Sequence, residues 1–250
     1  MSYIISPKNI FFLLSWNSYR RFLIKTSFKL ISYSFTEIYT ITDILGSIDK
    51  KIEINKKKIE KLEAITSLAY NHLFFRKKTN GKLADILIEQ VKSDIQVGEA
   101  KNISGKYPYF TSGESILSWN KPLVSGRNCF LNTGGNADVK FYVGDAAYST
   151  DTWCISSISD LTDYLYLLLN TIKTELDKKY FWGTGLKHLQ KDLLKNRQIY
   201  IPAEREILDF NMVVSPSLTT ISILKQENQQ LVKHRNFILP LLMNGQVVVR

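Results

Sequence analysis

Apolar residues recur in alternating steps of four and three over a long stretch between Ile41 and Leu73. The series covers about four and a half heptads, and Asn55 and Thr66 are the polar residues within it. An apolar spacing sustained this long is typical of a coiled-coil helix, in which the buried seam repeats every 3.5 residues. We therefore predict a first long helix over residues 41–78, which at 1.5 Å per residue would extend about 50 Å.

A second, shorter series of the same kind begins at Ile221 and carries Asn228 in its seam. Pro240 and Gly245 are expected to end this helix, because proline lacks the backbone donor and glycine favours helix C-termini. Asn55 lies about 20 residues before the end of the first helix near residue 75, and Asn228 lies about 21 residues after the start of the second near residue 207. If the two helices are antiparallel, these asparagines lie side by side. A buried Asn pair fixes helix register at some cost in stability. The alternative is that either Asn hydrogen-bonds solvent at the edge of the seam.

The chain between the two series has the pattern of a mixed domain. Short β-rich runs such as Val139–Val143 alternate with glycine turns, and Ser159–Leu176 has helical spacing of its apolar residues. The predicted fold class is therefore α+β, with one mixed domain flanked by two long helices that form an antiparallel coiled-coil hairpin. The predicted organisation is an N-terminal segment (1–40), a first helix (41–78), the mixed domain (79–203), and a second helix with a C-terminal tail (204–250).

The net charge of the chain is +10, with a sequence pI of about 9.4. A surplus of this size indicates a polyanionic partner, most often nucleic acid. Residues 79–203, however, carry fourteen basic and thirteen acidic side chains, so the surplus lies mainly on residues 1–78. Charge on that part of the chain is expected to hold a DNA backbone or to meet an acidic face of a partner protein.

Sequence motifs for catalysis are absent. The chain has no Walker lysine loop, no Asp/Asn/Ser-Pro-Pro-aromatic methyltransferase motif and no Gly-x-Ser-x-Gly elbow. Its three histidines are scattered, and Cys129 and Cys154 are too few for a disulfide framework. The apolar stretch Ile10–Leu14 is too short to span a bilayer. We expect no catalytic residue, metal, cofactor or membrane contact, and a cytoplasmic location.

Polar loops of the mixed domain are candidates for DNA contact. The turn Asn132–Asn136 offers amide groups that suit adenine in the major groove, and backbone donors that suit phosphate. The run Gly183–His188 is expected to place two basic residues at a helix start, which favours anions. The alternatives are a plain hairpin turn, a plain helix cap and, for the tyrosines near position 107, core packing. The candidate residues are Lys106, Tyr107, Thr111, Asn132, Thr133, Asn136, Lys140, Thr184, Lys187 and His188.

Several short runs occur in a characteristic order along residues 41–245. They are Ile44-Leu-Gly-Ser-Ile-Asp-Lys-Lys-Ile52, Tyr107-Pro-Tyr-Phe-Thr-Ser-Gly113, Asn132-Thr-Gly-Gly-Asn136, Tyr164-Leu-Tyr-Leu-Leu-Leu169, Gly183-Thr-Gly-Leu-Lys-His-Leu189, Ile199-Tyr-Ile-Pro202 and Leu239-Pro-Leu-Leu-Met-Asn-Gly245. In order and spacing, these runs resemble the specificity subunit of type I restriction–modification enzymes.

The resemblance implies a specific biological role. In that family a target-recognition domain reads one half of a split DNA sequence, and conserved helices separate two such domains and dock methyltransferase subunits. The assembled enzyme methylates adenine or, with motor subunits, cleaves DNA. The implied partners are therefore double-stranded DNA, type I modification subunits and, through the complex, restriction/translocase subunits.

The chain departs from the family pattern in two places. A full subunit has two recognition domains, whereas residues 1–40 can hold only a remnant of a second one beside the domain at 79–203. The usual Pro-Pro-Leu-x-Glu-Gln is replaced by Pro202–Glu206. The resemblance then implies a half-subunit that functions as a homodimer, or an inactive truncated cassette.

Two further classes of protein remain as alternatives. A coiled-coil scaffold whose middle domain binds protein would suit the nearly neutral charge of residues 79–203, although the ordered motifs oppose it. A nuclease or methyltransferase domain would need the catalytic motifs that the sequence lacks.

Overall fold

We describe the protein from a computed structural model, which covers residues 35–243 of the chain. Most of the N-terminal segment defined from the sequence (1–40) and Gly245, which was expected to follow the second helix, lie outside the described residues.

Two long helices flank a segment in which short helices and short strands are mixed. In chain order the helices are α1 (Phe35–Leu73), α2 (Val97–Ala100), α3 (Thr162–Thr171), α4 (Lys173–Lys179), α5 (Lys191–Lys195) and α6 (Glu204–Met243). The strands are β1 (Gly81–Lys82), β2 (Leu87–Glu89), β3 (Tyr107–Phe110), β4 (Ile116–Trp119), β5 (Arg127–Asn132), β6 (Val139–Val143), β7 (Ala147–Tyr148), β8 (Thr152–Ser157), β9 (Phe181–Trp182), β10 (His188–Leu189) and β11 (Gln198–Ile199). The predicted α+β class is confirmed.

The structure divides into two compact units. The central unit comprises Ile54–Asn228, and the terminal unit comprises, among the described residues, 35–53 and 229–243. Within the terminal unit, Arg235 of α6 donates to Asp49 of α1 over 2.7 Å, so an ion pair joins the two helical segments there.

Helix α6 runs through Pro240 to Met243, so the prediction that this proline ends the helix was wrong. Leu242 is buried in the terminal unit, and this packing holds the last turn although the proline removes one backbone hydrogen bond.

The two long helices are antiparallel within the central unit. The contacts run in opposite directions along the chain. Phe74, directly after the end of α1, packs against Phe210 of α6, and Glu63 of α1 accepts from Lys225 of α6 over 2.8 Å. Nearer the ends of the unit, Asn55 Nδ2 donates to Asn228 Oδ1 over 2.9 Å. The structure thus places the two seam asparagines together, and Asn55 is buried. Their role in fixing helix register stays a prediction.

Replacing both Asn55 and Asn228 with Leu is expected to raise the free energy of unfolding while loosening the helix register, because burying the polar Asn55 costs stability and its bond to the half-buried Asn228 specifies alignment. Denaturant unfolding measures the first effect. Zero-length crosslinking of Lys225 to Glu63, which are 2.8 Å apart, measures the second. An unchanged crosslink yield together with an unchanged oligomeric state would contradict the register role.

By length and composition α6 is the one helix in the described part of the chain that could cross a membrane. Some of its apolar residues form a stripe at helical spacing that is buried in the central core: Ile207, Phe210, Val214 and Leu218. A core helix passes the same compositional test, and this buried stripe supplies part of the apolar composition of α6.

Two small sheets carry most of the strands of the central unit. One is antiparallel with the order β2-β8-β5-β6, and the other has the order β4-β3-β7 with β3 and β7 parallel. Alternate residues of β5 face opposite sides, so Cys129 contributes to the main core beneath the helices and Phe130 to a second cluster. Cys154 pairs with Phe130 and lies on that second side, which separates the two cysteines across the sheet.

An ion pair attaches the larger sheet to the helices. Arg127 at the start of β5 forms a bidentate contact with Asp163 of α3, at 2.7 and 2.8 Å. Ser215 of α6 donates to the same carboxylate over 2.5 Å, and Thr219 accepts from Arg127 over 3.1 Å. Strand β5 and helices α3 and α6 therefore all contact the Asp163 carboxylate, and the Asp163 side chain is buried, with 2% of its surface exposed.

Candidate nucleic-acid interface

Two hairpin loops of the central unit are held together by backbone hydrogen bonds. The β5–β6 loop contributes Thr133 and Gly135, and the β9–β10 hairpin contributes Lys187 from its loop and Leu189 from β10. Leu189 N donates to Thr133 O over 2.9 Å, and Gly135 N donates to Lys187 O over 3.0 Å. Because these bonds involve main-chain atoms, they fix the relative position of the loops whatever the side chains are.

The β3–β4 loop joins the same group. Ser112 and Thr133 both donate their hydroxyls to Asp151 O, and Lys140 Nζ donates to Thr111 O over 2.9 Å. We call the assembly of residues 111–115, 133–138 and 183–188 the loop cluster. Its loops come from separate strands of the domain, so the sheets set its geometry.

Some of the residues predicted to contact DNA have side chains that are exposed to solvent. Asn136, Thr184 and His188 are exposed, and Thr133 and Lys187 are half-buried. An amide, hydroxyls and an imidazole are groups that can hydrogen-bond base edges as well as phosphate oxygens. The loop cluster therefore presents mainly uncharged hydrogen-bonding groups.

Other candidate residues are used inside the domain. Thr111 is 3% exposed and donates to Ser115 O over 2.9 Å, while Asn132 is 6% exposed and donates to Asn136 O over 3.1 Å. Lys140 donates to Asn132 Oδ1 over 3.3 Å and pairs with Asp138 over 3.2 Å. These three side chains shape the loops, and any effect they have on DNA contact acts through that shape.

The basic group of the β9–β10 loop is compensated by a carboxylate. Lys187 Nζ lies 3.1 Å from Asp177 Oδ2, and Ala137 N donates to the other oxygen of that carboxylate over 3.0 Å. The Ala137 N–H and then Lys187 hold the pKa of Asp177 below its ordinary value. The domain is nearly neutral because it holds almost as many acidic as basic residues, and this ion pair leaves the Lys187 charge compensated locally.

Lys187 and His188 do not lie at a helix start, so that interpretation of the sequence was wrong. His188 begins β10, where it pairs with Trp182 and forms a β-bridge with Gly134, and α5 begins only at Lys191. The bridge to the β5–β6 loop keeps this segment extended. Any anion contact here must therefore come from side chains, without helical N–H groups.

Lys106 and Tyr107 lie away from the loop cluster. Tyr107 begins β3 and pairs with Trp119, whereas Thr111 follows the last residue of that strand, about 13 Å further at 3.3 Å per residue. The Lys106 ammonium lies 5.5 Å from the Tyr107 ring. Their predicted DNA contact stays a prediction, for a separate surface.

Sequence reasoning missed two apolar side chains of the β9–β10 hairpin. Trp182 is 55% exposed and donates its indole N–H to Lys179 O, and Leu186 is 61% exposed. Apolar residues are ordinarily assigned to the core, but the flanking glycines were a signal that this segment is a tight exposed loop. A Cβ on Gly183 would lie 2.4 Å from Leu186 O, so the loop closes tightly on itself.

No group of three or more His, Cys, Asp or Glu that could hold a metal ion occurs in residues 35–243.

Comparison with known protein families gives one match of direct functional interest. The sequence model of one protein family, the type I restriction modification DNA specificity domain, matches residues 76–233, which is more than half of the chain.

Solved structures of similar architecture include the type I restriction–modification S subunit from M. genitalium, with 13% sequence identity and a TM-score of 0.59. That match covers 84% of this chain and 60% of the M. genitalium chain, so the present chain spans less than two thirds of that subunit. The HsdS subunit from Thermoanaerobacter tengcongensis matches with 11% identity and a TM-score of 0.44, over 85% of this chain and 58% of that one. At 13% sequence identity, the match to the M. genitalium subunit shows that the two chains share a fold.

Proposed function

Because the chain belongs to the type I restriction modification DNA specificity family, we propose that it reads one half of a bipartite DNA target through its loop cluster and docks modification subunits through its long helices. Methylation and, with restriction/translocase subunits, cleavage are then catalysed by those partners. The chain itself contributes recognition.

The observation that carries the proposal is the loop cluster. Asn136, Thr184 and His188 are exposed on loops that main-chain hydrogen bonds fix to one another. Base-specific contacts need donors and acceptors held in fixed positions, since each good contact discriminates against a wrong base by about 1–3 kcal/mol. The groups present here meet that requirement without a net positive charge.

Docking of modification subunits is supported by apolar side chains that face solvent on the helices of the central unit. Ile65 and Leu68 of α1 are exposed, as are Met212 and Ile223 of α6. Exposed apolar residues in this number on helices that already bury another face are a feature of protein interfaces.

A bipartite target needs two readers. If two copies of this chain assemble as a half-subunit homodimer, a twofold axis relates their loop clusters, and the two half-sites are inverted repeats. An asymmetric target would instead indicate a different second reader.

Methylation mapping tests the proposed function. The chain is expressed with a type I modification subunit with which it co-purifies, and methylated adenines are compared with and without the chain. The proposal predicts a bipartite motif that is methylated only when the chain is present.

A further inference from the structure

Two lysines lie near Trp153, at the start of the inner strand β8 of the larger sheet. The Lys191 ammonium lies 4.9 Å from the indole ring and that of Lys195 lies 5.9 Å from it. The indole N–H donates to Glu89 over 2.7 Å, and the same carboxylate pairs with Lys195. The bond to Glu89 thus holds the Trp153 ring in place beside the two lysine ammonium groups, and together they form a small basic site.

Charge in this site is incompletely compensated. Glu89 is engaged by Trp153 and Lys195, and the exposed Asp192 lies 3.9 Å from Lys195. Lys191 has no ion pair among the described residues. Burial lowers the pKa of Lys191, and repulsion from Lys195 and Lys92 adds to this effect against the attraction of Glu89 and Asp192. An anion bound at Lys191 would relieve this repulsion.

The site adjoins the loop cluster. Trp153 follows Thr152, which pairs with Asn132 at the end of β5. Lys191 comes two residues after Leu189, whose N–H is bonded to the β5–β6 loop. A polyanion in contact with the loop cluster therefore has this basic site beside it.

We propose that Lys191, whose ammonium lies 4.9 Å from the Trp153 ring, is a contact site for a DNA backbone phosphate next to the loop cluster. This inference rests on the proposed function. Lys187 of the loop cluster and Lys140 of β6 are paired with carboxylates, whereas Lys191 is available for a phosphate. Such a contact adds affinity equally for every sequence and positions the domain on the duplex.

The test is the salt dependence of DNA binding by the full chain together with its modification subunit. Binding is measured by fluorescence anisotropy on a duplex carrying the mapped motif and on a scrambled duplex of the same composition. Lys191→Met keeps the aliphatic stem over Trp153 and removes the charge. It is expected to reduce the slope of log K against log salt by about 0.9 on both duplexes. The advantage of the wild type over the variant then shrinks about 3.5-fold between 50 and 200 mM salt.

Two matched variants complete the design. Lys191→Arg keeps the charge and is expected to keep the wild-type slope. Lys121→Met removes an exposed charge beyond the Trp119 end of β4, away from the loop cluster, and is also expected to keep that slope.

The outcomes separate this inference from the proposed function. A wild-type preference for the motif with an unchanged slope in Lys191→Met overturns the phosphate site alone. A reduced slope without any preference for the motif supports the phosphate site and contradicts the proposed function. Absence of DNA binding by the wild-type complex overturns both.

Discussion

Replacing Asp163 with alanine is expected to lower the free energy of unfolding by about 3 kcal/mol, the lower end of the cost of breaking a buried ion pair from one side, because Asp163 is 2% exposed whereas Arg127 is 30% exposed. The substitution leaves Arg127 without the carboxylate that holds its Nε and Nη2 atoms, and it removes the acceptor of the Ser215 hydroxyl. The lost contacts join β5, α3 and α6, so the substitution weakens the packing of the larger sheet against the helices of the central unit. Denaturant unfolding followed by circular dichroism measures the change.

Asp145→Ala is the matched control, because Asp145 is an exposed carboxylate of the same domain. A change within about 0.5 kcal/mol is expected there, as for most surface substitutions. The double variant Arg127→Met/Asp163→Leu removes both charges and is expected to lose less than the single variant. If Asp163→Ala were no more destabilising than Asp145→Ala, the proposed attachment of the sheet to the helices would be wrong.

Replacing Gly183 with alanine is expected to remove much of the preference for the target sequence while leaving the fold intact. The new Cβ would lie 2.4 Å from Leu186 O, and the φ angle of +155° is one that residues with a side chain rarely adopt. The β9–β10 loop must then shift, which displaces Thr184 and His188. Each displaced base contact costs about 1–3 kcal/mol, or about 5- to 150-fold in preference, measured by competition between motif and scrambled duplexes.

Gly98→Ala serves as the control for this substitution. Gly98 lies in α2, and a Cβ there would meet no atom within 4 Å. Wild-type preference is expected in this variant. Equal preference in the Gly183 and Gly98 variants, with both folded, would exclude the β9–β10 loop from target recognition.

The long helices could be predicted because their signal is local and periodic. The heptad spacing before Leu73 and after Ile221 follows from one buried helix face. The first half of α6 lacks a regular heptad and contains Pro216, yet it is helical. Burial of Phe210 and Val214 in the domain core holds it, and that contact depends on residues far away in sequence.

The candidate site could be predicted only in part. Glycine-rich turns identified the loops, since tight turns need residues without a side chain. Which polar side chains face outward depends on how each hairpin loop closes: Thr111 and Asn132 turn inward because the backbone carbonyls of Ser115 and Asn136, four residues further on, accept their protons. The Arg127–Asp163 pair joins positions 36 residues apart, so no local pattern reveals it.

The most direct measurement is a methylome map of cells that carry the modification subunit with or without this chain. The account predicts a set of adenine sites, arranged as a bipartite motif, whose methylation requires the chain. An unchanged methylation map, in cells where the two proteins demonstrably form a complex, would contradict it.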